Sequence, residues 1–374
     1  SLSPLSRSPH DLDPSSHGLR VTALLEGPLR AKRPLFLHTP CDMLGCCLPL
    51  PWATRKPLAT LQERTQPSTR IPDAKTKLRK ALPTVCKGWS THHEYDYKQS
   101  TQHNHTICDP DAQQSAAIGQ FAEIRSRIDT KYHGVYTAER QELQDSLVAH
   151  TLDEGGLSHH QPWLILTAGP MGAGKSHVVG WMQENEYFLE DQVVHCDPDV
   201  FKAALPEWSE YVARDRLSAG TLCHRESGML VEIAMEASLA RGMHCWVDGS
   251  LKDGEWYRHV ILDVQARFPK YAVAILEVSA SADEIFERVR KRAIETGRDV
   301  PREEVLDSIE RVPASVAKLI DLVSFSAIID NSAVTPVLKK YCNADVCKIG
   351  RAAREEGWDE IRRRFGRASA KSAW

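Results

Sequence analysis

No stretch of the 374 residues approaches the ~18 uninterrupted apolar positions that a membrane-spanning helix needs. The first residues also lack the charged, apolar and small-residue order of a secretory signal. A formal net charge of −3 provides no broad basic field, so neither nucleic acid nor an anionic membrane is the expected partner. Aromatic residues are sparse at 7%, and the segment from Trp163 onward shows no clear basic, aromatic track of the kind that holds a polynucleotide. The ten cysteines are scattered. Cys196 and Cys245 fall inside apolar, strand-like runs, which suits reduced core thiols better than a disulfide framework. The cytoplasm is the expected location, although a chain that begins with Ser1 rather than Met leaves the compartment open.

What is present divides the chain into three. Residues 1 to about 85 are rich in Pro, Ser, Arg and Leu, carry breakers at Pro28, Pro34, Pro40, Pro49 and Pro51, and read as largely disordered. A mitochondrial presequence is the alternative reading, opposed by Asp11, Asp13, Glu26 and the prolines. The stretch with His92, His93, His103, His105 and Cys108 reads as a polar loop, since no second ligand pair completes a zinc set and Cys342 and Cys347 are too isolated to do so. From Asp111 to Leu152 two helices are expected. The first presents Ala116, Ile118, Phe121, Ile124 and Ile128, and the second starts near Tyr136-Thr137-Ala138-Glu139.

Gly155-Gly156 then interrupts the chain before an apolar run at 163–167, too short for a helix. Similar runs at 193–196, 244–247, 272–278 and 327–329 alternate with helical segments near 174–185, 222–241, 255–268, 281–296 and 303–322. This alternation predicts an α/β fold, a parallel sheet with helices on both faces and its ligands at the carboxyl ends of the strands. The organisation expected is a low-order region over 1–110, an α/β domain with its leading helices over 111–345, and a helical tail over 346–374 built on a basic amphipathic helix from Arg351.

The chemistry sits at the strand ends. Gly169-Pro170-Met171-Gly172-Ala173-Gly174-Lys175-Ser176 satisfies G-x-x-x-x-G-K-[ST] between an expected strand and an expected helix. Glycines let backbone N–H groups turn toward phosphate oxygens, Lys175 reaches the outer phosphates of ATP, and Ser176 offers a hydroxyl to Mg²⁺. The second strand ends in Asp197-Pro198-Asp199-Val200-Phe201-Lys202. Asp199 is favoured as the base for an acceptor hydroxyl and Asp197 as structural, with helix capping by both as the competing reading. The third strand runs into Val247-Asp248-Gly249-Ser250, where Asp248 is a candidate for holding Mg²⁺ through water and Ser250 and Lys252 project toward the acceptor side. In Glu287-Arg288-Val289-Arg290-Lys291-Arg292 and Gly297-Arg298-Asp299-Val300-Pro301, Arg290 and Lys291 read as solvated, whereas Arg292 and Arg298 read as a lid that clamps the transferring phosphoryl group.

In this order of elements, the segment from about Tyr136 to Ser332 resembles the zeta-toxin family of P-loop kinases. The likeness rests on the glycine loop, on 197–202, on Ala219-Gly220 before a helix carrying Glu232, on 247–250, on 297–301, and on the upstream Tyr136-Thr137-Ala138-Glu139-Arg140. It implies ATP and Mg²⁺, with Lys175 and Ser176 on phosphate and metal, Asp199 as the acid/base, Arg298 as a lid arginine and Arg292 as a weaker match. Glu232 and Ser250 fall where the family contacts its acceptor, which in bacterial members is UDP-N-acetylglucosamine. Here the spacing from helix to lid is shorter, Asp248 stands where the toxins often have Glu, and Lys252 stands at an arginine position. The function expected is an ATP-dependent kinase acting on a hydroxyl of a small acceptor, with an inhibitory protein partner left open. The alternatives are a nucleoside or polynucleotide 5′-kinase and a non-catalytic ATP-binding regulatory module.

Overall fold

The computed structural model describes residues 89, 95–107, 117–156, 158–188, 192–296 and 300–366, the side chains of 295 and 296 excepted. All of them belong to the second of the two units into which the chain divides, Ser68–Trp374. The disorder expected over 1 to about 85 and the tail end past 366 lie outside the described residues.

Seven strands form one sheet: β1 (Trp163–Ala168), β2 (Val193–Cys196), β3 (His244–Val247), β4 (Ala272–Ser279), β5 (Phe325–Asp330), β6 (Val337–Asn343) and β7 (Cys347–Ile349), in the order β2-β3-β1-β4-β5-β6-β7. The first five pair in parallel and the last two add an antiparallel hairpin. Their helices are α1 (Ala138–Asp153), α2 (Lys175–Glu184), α3 (Pro198–Ala204), α4 (Trp208–Arg214), α5 (His224–Ala240), α6 (Gly254–Arg267), α7 (Ala282–Thr296), α8 (Arg302–Leu319) and α9 (Arg351–Phe365), besides a few helical turns of four or five residues. No helix among the described residues is long and apolar enough to cross a membrane.

Each central strand is apolar on both faces because each face is covered. Leu164 pairs with Cys245 and Leu166 with Val247, and these join Val194, Cys196, Leu143 and Leu147 of α1, and Leu230 and Ile233 of α5 in one buried layer. The residues between them, Ile165 beside Trp246, face the other way and pack with Val178 and Met182 of α2 and Ile361 and Phe365 of α9. That period of two under a run with no polar break is the mark of a strand buried on both sides. β1 lies between β3 and β4, so the chain leaves it toward one side of the sheet and later returns on the other. The crevice above the carboxyl end of β1 is therefore the topological switch point, where an α/β sheet places its ligand.

Some segments differ from expectation. The second leading helix forms as α1, with Thr137 Oγ1 accepting from Arg140 N at 3.4 Å. The first is instead two short turns, Ala122–Arg125 and Thr130–His133, because Asp129 accepts from Lys131 N at 2.9 Å and caps a new start. The histidine stretch is not a polar loop where it is described. Thr101–His105 is helical, and His105, 8% exposed, lies with Nε2 2.8 Å from Glu207 Oε1. His92, His93 and Cys108 lie outside the described residues. The β6–β7 hairpin escapes a reading by apolar runs because Lys339 and Lys340 interrupt β6 and the pairing shifts register between Ile328 and Ile329. A disulfide joins Cys342 to Cys347 across that hairpin, while Cys196, Cys223 and Cys245 are free and buried.

Candidate active site

The glycine loop leaves β1 and enters α2 at Lys175, as its spacing predicts. Gly172 has φ of +85°, and a β carbon there would lie 2.7 Å from the Ile285 carbonyl oxygen. Gly174, the residue before α2, has φ of +84° and no room for a side chain beside the Asn331 amide. Only glycine enters this conformation without strain. Around the loop, Arg288 donates to Ala173 O at 3.2 Å and Asn331 O at 2.7 Å, and Asn331 Nδ2 donates to Ala173 O at 2.9 Å. Lys175 Nζ donates to Gly169 O at 2.8 Å, and Gly169 N donates to Ser250 O at 3.2 Å. The loop is thus pinned by α7, by the end of β5 and by the segment after β3. Arg288 and Asn331 carry no sequence signal of this role; one lies within a charge run and the other just beyond a strand.

A cavity of about 340 Å³ opens over the loop and brings together Lys175, Ser176, Asp197, Asp199, Asp248 and Arg292. Met171, Gly172 and Gly174 also line it. Asp197, 2% exposed, accepts from Asp199 N at 2.8 Å and caps α3, with Pro198 in its first turn. Asp199 stands one step further into the cavity between two cations, with Lys202 Nζ 3.2 Å from its Oδ1 and Arg292 Nη2 3.8 Å from its Oδ2. Asp248 Oδ1 accepts from Thr167 Oγ1 at 2.9 Å, and the same hydroxyl accepts from Gly249 N at 3.1 Å. His224 lies near Asp199 and Lys202; burial, then the Lys202 charge, lowers its imidazole below the ordinary histidine range, against the pull of Asp199.

Glu232, Ser250 and Lys252 do not line this cavity. Glu232 accepts from His133 Nε2 at 3.0 Å and lines a separate cavity of about 380 Å³ between α5 and α6, with Trp256 and Arg267. Burial raises the Tyr257 hydroxyl above its ordinary range, and the charges of Asp248, Asp253 and Glu232 add to this. Ser250 contributes its carbonyl to Gly169 N, while its Oγ accepts from Lys252 N at 3.3 Å. Lys252 is ion-paired to Asp307 of α8, and its carbonyl accepts from Ser315 Oγ at 2.9 Å. Arg290 pairs with Glu287 on the outer face of α7. Arg298 lies outside the described residues.

The site fits a nucleotide and a divalent metal: the loop has the space and the inward turn that phosphates need, and Ser176 and Asp248 offer hard oxygen ligands beside it. A glycine loop wound into a helix start at the switch point of a parallel sheet, faced by carboxylates from the next strands, defines a P-loop nucleotide-binding domain. The zeta toxin family model matches residues 152–338, half of the 374, and the chain belongs to that family of ATP-dependent kinases. Among solved structures the chain is similar to one from the PezAT chromosomal toxin–antitoxin system of Streptococcus pneumoniae, at 16% identity and TM-score 0.45 over 63% of this chain and 91% of that one. It is also similar to AvrRxo1-ORF1:AvrRxo1-ORF2 with sulphate ions, at 15% identity and TM-score 0.48 over 70% and 82%. No curated protein matches this chain.

The cradle geometry carries its own test. Gly172→Ala should weaken ATP binding roughly tenfold or more, because a side chain at positive φ costs about 1–3 kcal/mol and the Ile285 carbonyl cannot move aside. Gly220→Ala, where a β carbon meets nothing within 4 Å, should leave the affinity unchanged. Calorimetric titration with ATP reads both, and equal affinities in the two variants would mean that the loop does not hold the phosphates.

Proposed function

We propose that this domain transfers the γ-phosphoryl group of ATP to a hydroxyl of a small acceptor, and that a UDP-N-acetyl sugar is the acceptor class to test first. The observation that carries the reading is Asp199, a carboxylate held between Lys202 and Arg292 in the same cavity as Lys175 and Ser176. A base must lie where the acceptor hydroxyl meets the γ-phosphorus in line, and a cation must lie where charge gathers on the equatorial oxygens. One cavity offers both. The sugar class rests on the family resemblance, and the functional unit we assign is residues 111–345.

In this mechanism Lys175 leaves the loop carbonyls that it touches and neutralises the outer phosphates. Ser176 and Asp248 are the residues that would hold the divalent metal, Mg²⁺ in the simplest case, which screens phosphate charge when bound. Asp199 orients the acceptor hydroxyl and takes its proton. The acceptor oxygen bonds to the γ-phosphorus as the bond to the β,γ-bridging oxygen breaks, and ADP leaves with that electron pair. Arg292, 45% exposed on α7, closes over the group in transfer and excludes water.

The test is ATP turnover by the full chain with UDP-N-acetyl sugars, nucleosides and oligonucleotides, with Lys175→Ala as the blank. Stimulation by a nucleotide sugar, absent in the blank, is the result expected. Stimulation by an oligonucleotide alone would replace the acceptor class, and ATP binding with no stimulation by any acceptor would overturn transfer to a small hydroxyl.

A further inference from the structure

His195, Asp197 and Asp248 place one ligand atom each within 4.8 Å of one another. They come together for reasons of topology. His195 and Asp197 are two apart on the strand and its exit, so they share a face, and Asp248 follows β3, the neighbour of β2. That face is the one covered by α2, whose first residues are Lys175 and Ser176. The two carboxylates line the phosphate cavity, whereas His195 is not among its lining residues. Asp248 is held in place from outside the group by the Thr167 hydroxyl at 2.9 Å.

We infer that this group is a cation site selective for a transition metal such as Mn²⁺, with His195 as its nitrogen ligand and Asp197 and Asp248 as its oxygen ligands. The inference rests on the kinase reading above and makes its metal site more specific: Asp248 is the shared ligand, His195 and Asp197 complete the protein's set, and Ser176 is left to the phosphate side. Mg²⁺ is a hard cation that keeps to oxygen and gives up its waters reluctantly. An imidazole nitrogen beside two carboxylates shifts preference toward Mn²⁺, Co²⁺ or Zn²⁺. A hydroxyl donating to Asp248 is the kind of outer partner that fixes a ligating carboxylate. Because Asp197 and Asp248 are among the residues that line the phosphate cavity, a bound ion lies at its wall, beside the nucleotide's phosphates. With three protein ligands of its own, the site takes its metal without the nucleotide, in contrast to a magnesium ion that enters with ATP.

The experiment is Mn²⁺ titration of the full chain without nucleotide, followed by electron paramagnetic resonance, with Mg²⁺ as competitor. The wild type should show one tight site that Mg²⁺ displaces poorly. His195→Asn should weaken Mn²⁺ at least about tenfold, the least that loss of a metal-site partner commonly costs, and should narrow the gap between the two metals. His195→Gln, which retains bulk and a polar tip, provides a second readout should the first variant fold badly. Wild-type Mn²⁺ affinity in both variants, or no nucleotide-free site in the wild type, overturns the inference. ATP binding that depends on Lys175 distinguishes that failure from failure of the kinase reading: if it persists, only the metal assignment falls.

Discussion

Asp199→Asn should lower kcat by about 10²–10⁴-fold, the range that a positioned base contributes, and leave the dissociation constant for ATP within about twofold of the parent, a margin worth about 0.4 kcal/mol. The substitution keeps size and one oxygen, so Lys202, 6% exposed, retains an acceptor near 3.2 Å. It also keeps the backbone N–H that Asp197 accepts from, so α3 keeps its cap. What it removes is the capacity to take a proton. Ion pairs to Lys202 of α3 and Arg292 of α7 hold Asp199. Steady-state turnover with saturating acceptor and a separate ATP titration distinguish the two effects. A variant that turns over within tenfold of the parent would remove Asp199 from the chemistry.

The largest effect on stability is expected at a residue distant from the phosphates. Arg140, 5% exposed on α1, donates from Nε to Glu226 Oε1 at 2.7 Å and from Nη2 to Glu226 Oε2 at 3.0 Å. It also reaches Glu207, at 2.9 Å to Oε1 and 3.1 Å to Oε2. Gln144 adds a hydrogen bond to Glu226 at 2.9 Å, and His105 lies against Glu207, so this buried network joins α1, α5, the segment before α4 and the helical turn 101–105. Arg140→Met strands two buried carboxylates and should cost about 3–5 kcal/mol, a large part of the ~5–15 kcal/mol that holds a domain together.

The pH dependence of that loss distinguishes it from simple repacking. Burial pushes the Glu207 carboxyl up, but hydrogen bonds from His105 and Arg140 and the Arg140 charge outweigh it and hold the group at about 2. Burial likewise opposes ionisation of Glu226, and Arg140 brings its pKa below the ordinary value. A folded pKa depressed below the unfolded one contributes stability above about 4.5 that is lost as pH falls toward 2, worth about 3 kcal/mol for Glu207. In Arg140→Met burial is left with less to oppose it, so both folded pKa values rise, Glu226 more than Glu207, which keeps His105: the variant should lose less stability than the parent as pH falls from 5 to 3.5. Urea unfolding at pH 7, 5 and 3.5 measures this directly. Parallel pH profiles for parent and variant would show that the guanidinium is not what keeps these carboxylates ionised.

Neither glutamate announces itself in the sequence, and the reason is general to this site. Residues whose role follows from neighbours along the chain are legible there: the glycine loop between a strand and a helix, Asp197 with Pro198 at a helix start, the short apolar runs that become β1 to β5. Glu207 and Glu226 read as ordinary helix-surface acids until the fold places Arg140 between them, 67 and 86 residues away in sequence. Glu232 shows the converse. Its place on α5 follows from the pattern, but only packing decides that it meets His133 and a cavity separate from the one that holds Asp199.

By itself, then, the sequence determined the parallel α/β plan, the phosphate loop and the carboxyl ends where chemistry gathers, because backbone conformation, capping and strand burial are decided within a few residues. The tertiary structure alone decided that Arg292 joins Lys202 at Asp199, that Arg288 and Asn331 hold the loop, that Lys252 is spent on Asp307, and that His195 stands with Asp197 and Asp248. Each of the last three joins side chains from different strands or helices. The order of strands in the sheet sets those distances, and residue spacing along the chain does not encode them.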